Sequence, residues 1–174
     1  MVRLDLQVSC NMENLREVSL PADEDWYFTT KCTHCNEISD QKIYFKLTEM
    51  QDIPGSKGQA NFIAKCKFCE RVSNVEYIQN SISAYTDQNQ KFQTIASFEC
   101  RGMELINFYT GNSLGALGKE SGTEFGHPYG KEPIEFDGPD WAGFDEEADE
   151  SVGIYEFKSQ FIRSNRKWIN VKLT

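Results

Sequence analysis

Residues 61–78, NFIAKCKFCERVSNVEYI, carry the reading that decides the fold: strand, cysteine pair, strand. Asn61-Phe62-Ile63-Ala64 runs into Cys66, and Val72 to Ile78 leads away from Cys69. The β-branched and aromatic residues recur at the period of two expected of a strand. The pair itself, C-x2-C, suits a tight turn that aims both sulfurs at one point. A second such turn lies upstream, where Trp26-Tyr27-Phe28 leads into KCTHCNEIS with Cys32 and Cys35. Thirty residues, 36–65, separate the two pairs. That span has room for two strands, one of them Ile43 to Leu47, and for a hairpin turn at Pro54-Gly55-Ser56-Lys57-Gly58. It therefore returns the chain so that the two cysteine tips lie side by side.

The same periodicity extends outward in both directions. Val2, Leu4, Leu6, Val8 and Cys10 alternate with mostly polar residues, as in a half-buried strand. Phe92 to Cys100 and Val152 to Ile162 are the clearest strands of the second half. In the latter Tyr155, Phe157 and Phe161 share one face, with Glu156, Lys158 and Gln160 on the other. Helical periodicity is confined to Asp140 to Ser151, where a short helix is expected. Residues 111–138 hold seven of the twelve glycines and read as a long irregular loop. The motif apolar-x-Cys-x4-Leu-x2-apolar occurs at Val8 to Val18 and again at Phe98 to Phe108, offset by 90 residues. The predicted architecture is all-β, with two similar antiparallel halves, sandwich- or barrel-like. Residues 1–90 carry the cysteine pairs and 91–174 carry the long loop, the whole forming one compact unit.

Hydrophobic residues make up 39% of the 174 residues and aromatics 13%, which is enough for a real core rather than a disordered chain. The 27 acidic against 18 basic residues, net charge −9, argue against nucleic acid and against an anionic membrane surface. The C-terminal run Arg163, Arg166, Lys167 and Lys172 is the best local basic patch, with a solvated chain end as its plainer explanation. No apolar stretch reaches the roughly 20 residues of a membrane span, and the N-terminus lacks a secretory apolar segment. A soluble protein of the cytoplasm or nucleus is expected. There thiols stay reduced, so paired cysteines point to metal or redox chemistry before disulfides.

Two C-x2-C pairs at this spacing are a zinc signature: zinc takes four tetrahedral ligands, and thiolate is an excellent one. The predicted ligands are Cys32, Cys35, Cys66 and Cys69. Four thiolates around Zn2+ leave a local charge of −2, which Lys31, Lys65 and Lys67 are placed to offset. Asn36 suits the left-handed backbone that ends such a turn. A full shell leaves no open position for water, so the site reads as structural, not catalytic. The alternatives are two independent redox pairs, disfavoured because no βαβ pattern accompanies them, and core disulfides, disfavoured by compartment. His34 sits inside the first turn and is read as exposed, with replacement of a thiolate as the other option.

Cys10 and Cys100 remain. Buried core cysteine is the plain reading; a reactive thiol at Cys100, beside Arg101, is the sharper one. His127 is the only other histidine, and no nucleophile triad, H-E-x-x-H or phosphate loop is present. The acidic run Asp145 to Glu150 reads as a solvated face or as an attractor for a basic partner or a second cation. Trp141 and Phe144 read as its anchors. Trp26, Tyr44 and Phe98 either fill the core or line a small-molecule pocket between the halves.

KCTHCNEISD, KCKFC, FECRGMEL, ESGTEF and FDEEADESVGIYEF, in this order, together with the alternating N-terminal strand, resemble the eukaryotic CXXC-motif-containing zinc-binding protein family. The resemblance covers about Leu4 to Ile162 and leaves Arg163 to Thr174 as an extension. It implies an all-β protein of two similar halves, zinc on Cys32, Cys35, Cys66 and Cys69, and no established enzymatic activity. The expected function is that of a zinc-stabilised binding or adaptor module linked to metal handling, acting as a monomer with a protein partner. The alternative is a thiol-redox enzyme similar to the zinc-containing methionine sulfoxide reductases, with Cys100 as its catalytic thiol.

Overall fold

The computed structural model describes residues 1–164, and β-strands account for about half of them. In chain order they are β1 (Val2–Glu13), β2 (Leu15–Ser19), β3 (Trp26–Cys32), β4 (Ile43–Phe45), β5 (Gln51–Asp52), β6 (Gln59–Ala60), β7 (Phe62–Lys65) and β8 (Val72–Tyr77). The second half adds β9 (Gln93–Arg101), β10 (Met103–Tyr109), β11 (Gly115–Gly118), β12 (Glu124–Phe125), β13 (Trp141–Asp145) and β14 (Glu150–Arg163). A single 3-10 turn, His127–Tyr129, is the one helical element among the described residues. No helix there is long and apolar enough to cross a membrane.

Six strands form the largest sheet, in the order β13-β14-β1-β9-β8-β7. Two three-stranded sheets, β10-β3-β4 and β12-β11-β2, and the small β5-β6 hairpin complete the fold. Every pairing is antiparallel. β1, held centrally between β14 and β9, is buried on both faces for most of its length: Asp5 and Ser9 are buried along with Leu4, Leu6, Val8 and Cys10. Asp5 keeps its polarity satisfied by accepting a 2.7 Å hydrogen bond from the Ser97 hydroxyl.

The core between the large sheet and β10-β3-β4 is aromatic. Phe28 stacks on Phe45 at 5.2 Å and meets Phe98 edge-on at 5.5 Å, while Trp26 meets Phe98 edge-on at 6.4 Å. Trp26 and Phe98 are wholly buried, so they fill the core; Tyr44, 62% exposed, does neither that nor line a cavity between layers. The space among Val8, Cys10, Tyr85 and Leu114 amounts to about 10 Å³, too small for any organic ligand.

Two segments differ from the sequence reading. Asp140 to Ser151 is not a helix but strand β13, a tight turn and the start of β14. Asp145 decides this: its carboxylate accepts the backbone N–H groups of Glu147 and Ala148 at 3.1 and 3.2 Å, a side-chain turn that competes with helix. Residues 111–138 are less irregular than their glycines suggest, since β11, β12 and the 3-10 turn lie within them. Gly126 shows why glycine is needed there: φ is 104°, and a Cβ would collide with the Leu114 carbonyl. Arg166, Lys167 and Lys172 lie outside the described residues; Arg163 pairs with Glu104 at 3.1 Å.

Candidate metal centre

Each cysteine turn is built from a strand end. β3 runs to Cys32, which pairs with Met103 of β10. β7 stops at Lys65, one residue before Cys66, and β8 resumes at Val72. The two turns then close in the same way. The N–H of Asn36 donates to the Cys32 carbonyl at 3.0 Å, and the N–H of Glu70 donates to the Cys66 carbonyl at 2.9 Å. The N–H of Cys32 donates to the Glu37 carbonyl, and the N–H of Cys66 to the Arg71 carbonyl. Asn36 and Glu70 both have φ 62°, the left-handed conformation that reverses the chain after the second cysteine.

Three further contacts hold these turns in place. The Thr33 N–H donates to the Gly102 carbonyl, docking the first turn on the β9–β10 hairpin. Gly102 has φ 79°, and a Cβ there would come within 2.7 Å of Ser73 Oγ, so only glycine permits that approach to β8. Asn61, buried, donates to the carbonyls of Leu47 and Glu49 and accepts the Tyr77 N–H at 2.7 Å, clamping the entry to β7. Arg71 donates to His34 Nδ1 at 2.8 Å, bridging the two turns. As acceptor, that ring nitrogen carries no proton. His34 thus stays exposed and outside the sulfur cluster.

The four sulfurs of Cys32, Cys35, Cys66 and Cys69 lie within 4.8 Å of one another. The pairs from opposite turns, Cys32 with Cys69 and Cys35 with Cys66, are each 3.7 Å apart. A regular tetrahedron with Zn–S of ~2.3 Å has edges of ~3.8 Å, so the donor set fits one zinc ion. None of the six cysteines is in a disulfide. Backbone amides point at the sulfurs. That of Cys35, followed by that of His34, draws the Cys32 thiol down to about 7, and those of Cys69 and Phe68 lower Cys66. The Glu37 amide acts the same way on Cys35, but desolvation and the neighbouring sulfurs outweigh it and push that thiol up to about 12. Four sulfurs so close cannot all ionise without a cation among them. The site sits at the rim of the fold: Cys32 is 8% exposed, Cys66 and Cys69 are half-buried, and Cys35 is exposed.

The remaining cysteines, Cys10 and Cys100, are not part of the sulfur cluster. Cys10 and Cys100 are 0% and 1% exposed, and burial pushes each thiol up to about 12. Neither provides a thiolate nucleophile at neutral pH. This removes the support for Cys100 as the thiol of a reductase. Of the acidic run, Asp145 turns inward, fully buried, and accepts hydrogen bonds from the Ser121 and Thr123 hydroxyls at 2.5 and 2.8 Å. Trp141 packs edge-on against Phe125, but Phe144 is 54% exposed and anchors nothing. Sequence reasoning missed Arg71, Asn61 and Glu70. Glu70 had one usable signal, its position one residue after the second cysteine of its pair, matching Asn36.

Comparison with known proteins agrees with this site. The family model for the eukaryotic CXXC motif containing zinc binding protein matches residues 5–162. Proteins of that name from Bos taurus and Homo sapiens are each 38% identical over 166 residues, covering 94% of this chain and 99% of theirs. The crystal structure of C1orf123 superimposes with a TM-score of 0.82 at 36% identity, covering 93% of this chain and 99% of that one. A hypothetical protein from Plasmodium falciparum, 24% identical with a TM-score of 0.78, shares the fold. With a four-sulfur cluster of tetrahedral dimensions, the cofactor is Zn2+, and the chain belongs to the eukaryotic CXXC motif containing zinc-binding protein family.

Proposed function

We propose that Cys32, Cys35, Cys66 and Cys69 together ligate one Zn2+ as a closed tetrathiolate, and that the protein is a zinc-stabilised binding or adaptor module rather than an enzyme. The observation that carries this is the pair of 3.7 Å sulfur separations between the two turns. Bound there, zinc ties strand ends together and offers no vacant position for substrate. The chain's own residues do the rest: amides donate to sulfur, and Arg71 links the turns through His34. A reducing compartment, cytoplasm or nucleus, suits a site that needs four thiolates.

Because three of the four cysteines are accessible at the rim, the site also suits a role in metal handling, in which a partner engages the turns directly. The test is affinity capture with wild-type and Cys32→Ser protein alongside metal analysis. One equivalent of zinc and a partner lost with the Cys32→Ser change support the reading. Much less than one equivalent in the wild type, or the same partners with both proteins, overturns the metal-dependent module. A zinc off-rate to chelator that is slow on the timescale of exchange removes metal handling but leaves the structural site intact.

A further inference from the structure

Two sheets end at the same place. β12 is the last strand of its sheet, joined only to β11, and β13 is the last strand of the six-stranded sheet, joined only to β14. Between them runs an open groove of about 850 Å³, walled by residues of both strands and by Lys131 to Pro133. Phe125 and Trp141 meet edge to face across it at 5.8 Å. An edge strand presents unpaired backbone groups, and proteins usually guard such edges with Lys, Pro or bulges. The opposite edge follows that rule, since β7 ends in Lys65. β13 does not. Its sequence Trp-Ala-Gly-Phe-Asp has neither Lys nor Pro, and Ala142 and Phe144 are exposed.

Charge selects the occupant. Glu124, Glu132, Glu146 and Glu147 line the groove against Lys131 alone. All four carboxylates are exposed, and among the described residues none forms an ion pair. A second copy of this chain, net charge −9, would bring its own carboxylates against them, so edge-to-edge self-pairing is disfavoured.

We propose that the groove between β12 and β13 binds an extended protein segment bearing Lys or Arg, which adds as a strand to the free edge of β13. Its main chain supplies ladder hydrogen bonds, its basic side chains meet the four glutamates, and a cation can lie against the Trp141 ring. The inference goes beyond the zinc-module reading and stands apart from it in space. β1 pairs with Cys100 at Val2, near the cysteine turns, but with Gly153 at Glu13, near the groove. Zinc and peptide therefore occupy opposite ends of β1.

The test uses the zinc-loaded full chain and three synthetic peptides of about a dozen residues: Lys alternating with Thr, the same with Glu for Lys, and the Lys peptide N-methylated at alternate residues. Calorimetry should detect the Lys peptide and not the Glu peptide. N-methylation, which preserves charge but removes ladder donors, should weaken binding at least about tenfold. Glu132→Lys with Glu146→Lys should do likewise while leaving the unfolding transition in place. Hydrogen exchange should slow at Ala142 to Phe144 on binding. Equal affinity for the N-methylated peptide, protection elsewhere, or no binding of the Lys peptide overturns the proposal. Binding that persists in Cys32→Ser protein separates this site from the metal centre, whatever becomes of the zinc-module reading.

Discussion

Two residues after paired cysteines carry the same backbone burden with different chemistry. Asn36 and Glu70 both sit at φ 62°, but Asn tolerates left-handed backbone through its short polar side chain, whereas Glu does so only under compulsion. A β-branched residue at Asn36 would resist the turn that aims Cys32 and Cys35 at one point. Asn36→Val is expected to cost about 1–2 kcal/mol and to speed zinc transfer to a chromogenic chelator. Glu70→Gly should not accelerate that transfer; if it does, the turn is not limited by backbone conformation. The buried thiols give a second prediction at this scale. With both pushed up to about 12, Cys10 and Cys100 should alkylate only as fast as the protein unfolds, so their labelling rate should rise with denaturant. Labelling of Cys100 in native protein within seconds would restore it as a reactive group.

At the level of elements, the β13–β14 hairpin depends on one buried carboxylate. Hydrogen bonds from the Ser121 hydroxyl first, and then from Thr123, Ala148 and Glu147, hold the Asp145 carboxyl below the usual carboxylate range. A depressed folded-state value means that the stability it confers is complete above the unfolded value, ~3.9, and drains away as pH falls through the native one. Asp145→Asn keeps most acceptor geometry but not the charge. The variant should be less stable at neutral pH, and its melting temperature should fall less steeply below pH ~4 than that of the wild type. Parallel pH profiles would rule out the charged contact as a stabiliser. This element also shows where sequence reading stops. Asp140 to Ser151 looked helical because its carboxylates and apolar residues mimic that periodicity, while the bonds from Ser121 and Thr123 come from more than twenty residues away. β14 was legible because from Tyr155 onward burial of one face leaves a period of two in the residues themselves, and β1 because its apolar residues alternate with polar ones even though both faces are buried. The cysteine turns were legible because ligand spacing is local. Asn61 and Arg71 were not, since the partners that define them, Tyr77, Leu47 and His34, are remote in sequence. The repeated cysteine motif matched residues but not turns: its offset is 90, whereas the hairpin turns at Asn14 and Gly102 are 102 − 14 = 88 apart.

For the whole molecule, the metal and the core lie apart. The core passes from Leu6 on β1 through Phe98 on β9 and Phe28 on β3 to Ile154 on β14, all essentially inaccessible, whereas of the four sulfur donors only Cys32 is buried. A chain of 174 residues buries enough apolar surface to fold without a metal, unlike a small zinc finger. Zinc then acts as a cross-link. It joins Cys32 to Cys69, 37 residues apart, and releasing a tie across a loop of that size costs about 4 kcal/mol in chain entropy. At 2–4 °C per kcal/mol for a domain of this length, removing zinc with a strong chelator should lower the melting temperature by about 10 °C. It should leave the far-ultraviolet circular dichroism at 25 °C nearly unchanged. Hydrogen exchange should speed up across residues 33–38 and 66–71 while Leu6, Phe98 and Ile154 keep their protection. Cys66→Ser should reproduce the same pattern, because a single missing sulfur opens the shell. Collapse of the entire sheet signal on chelation would mean that the core cannot stand alone and that the ion is a folding nucleus rather than a clasp between strand ends.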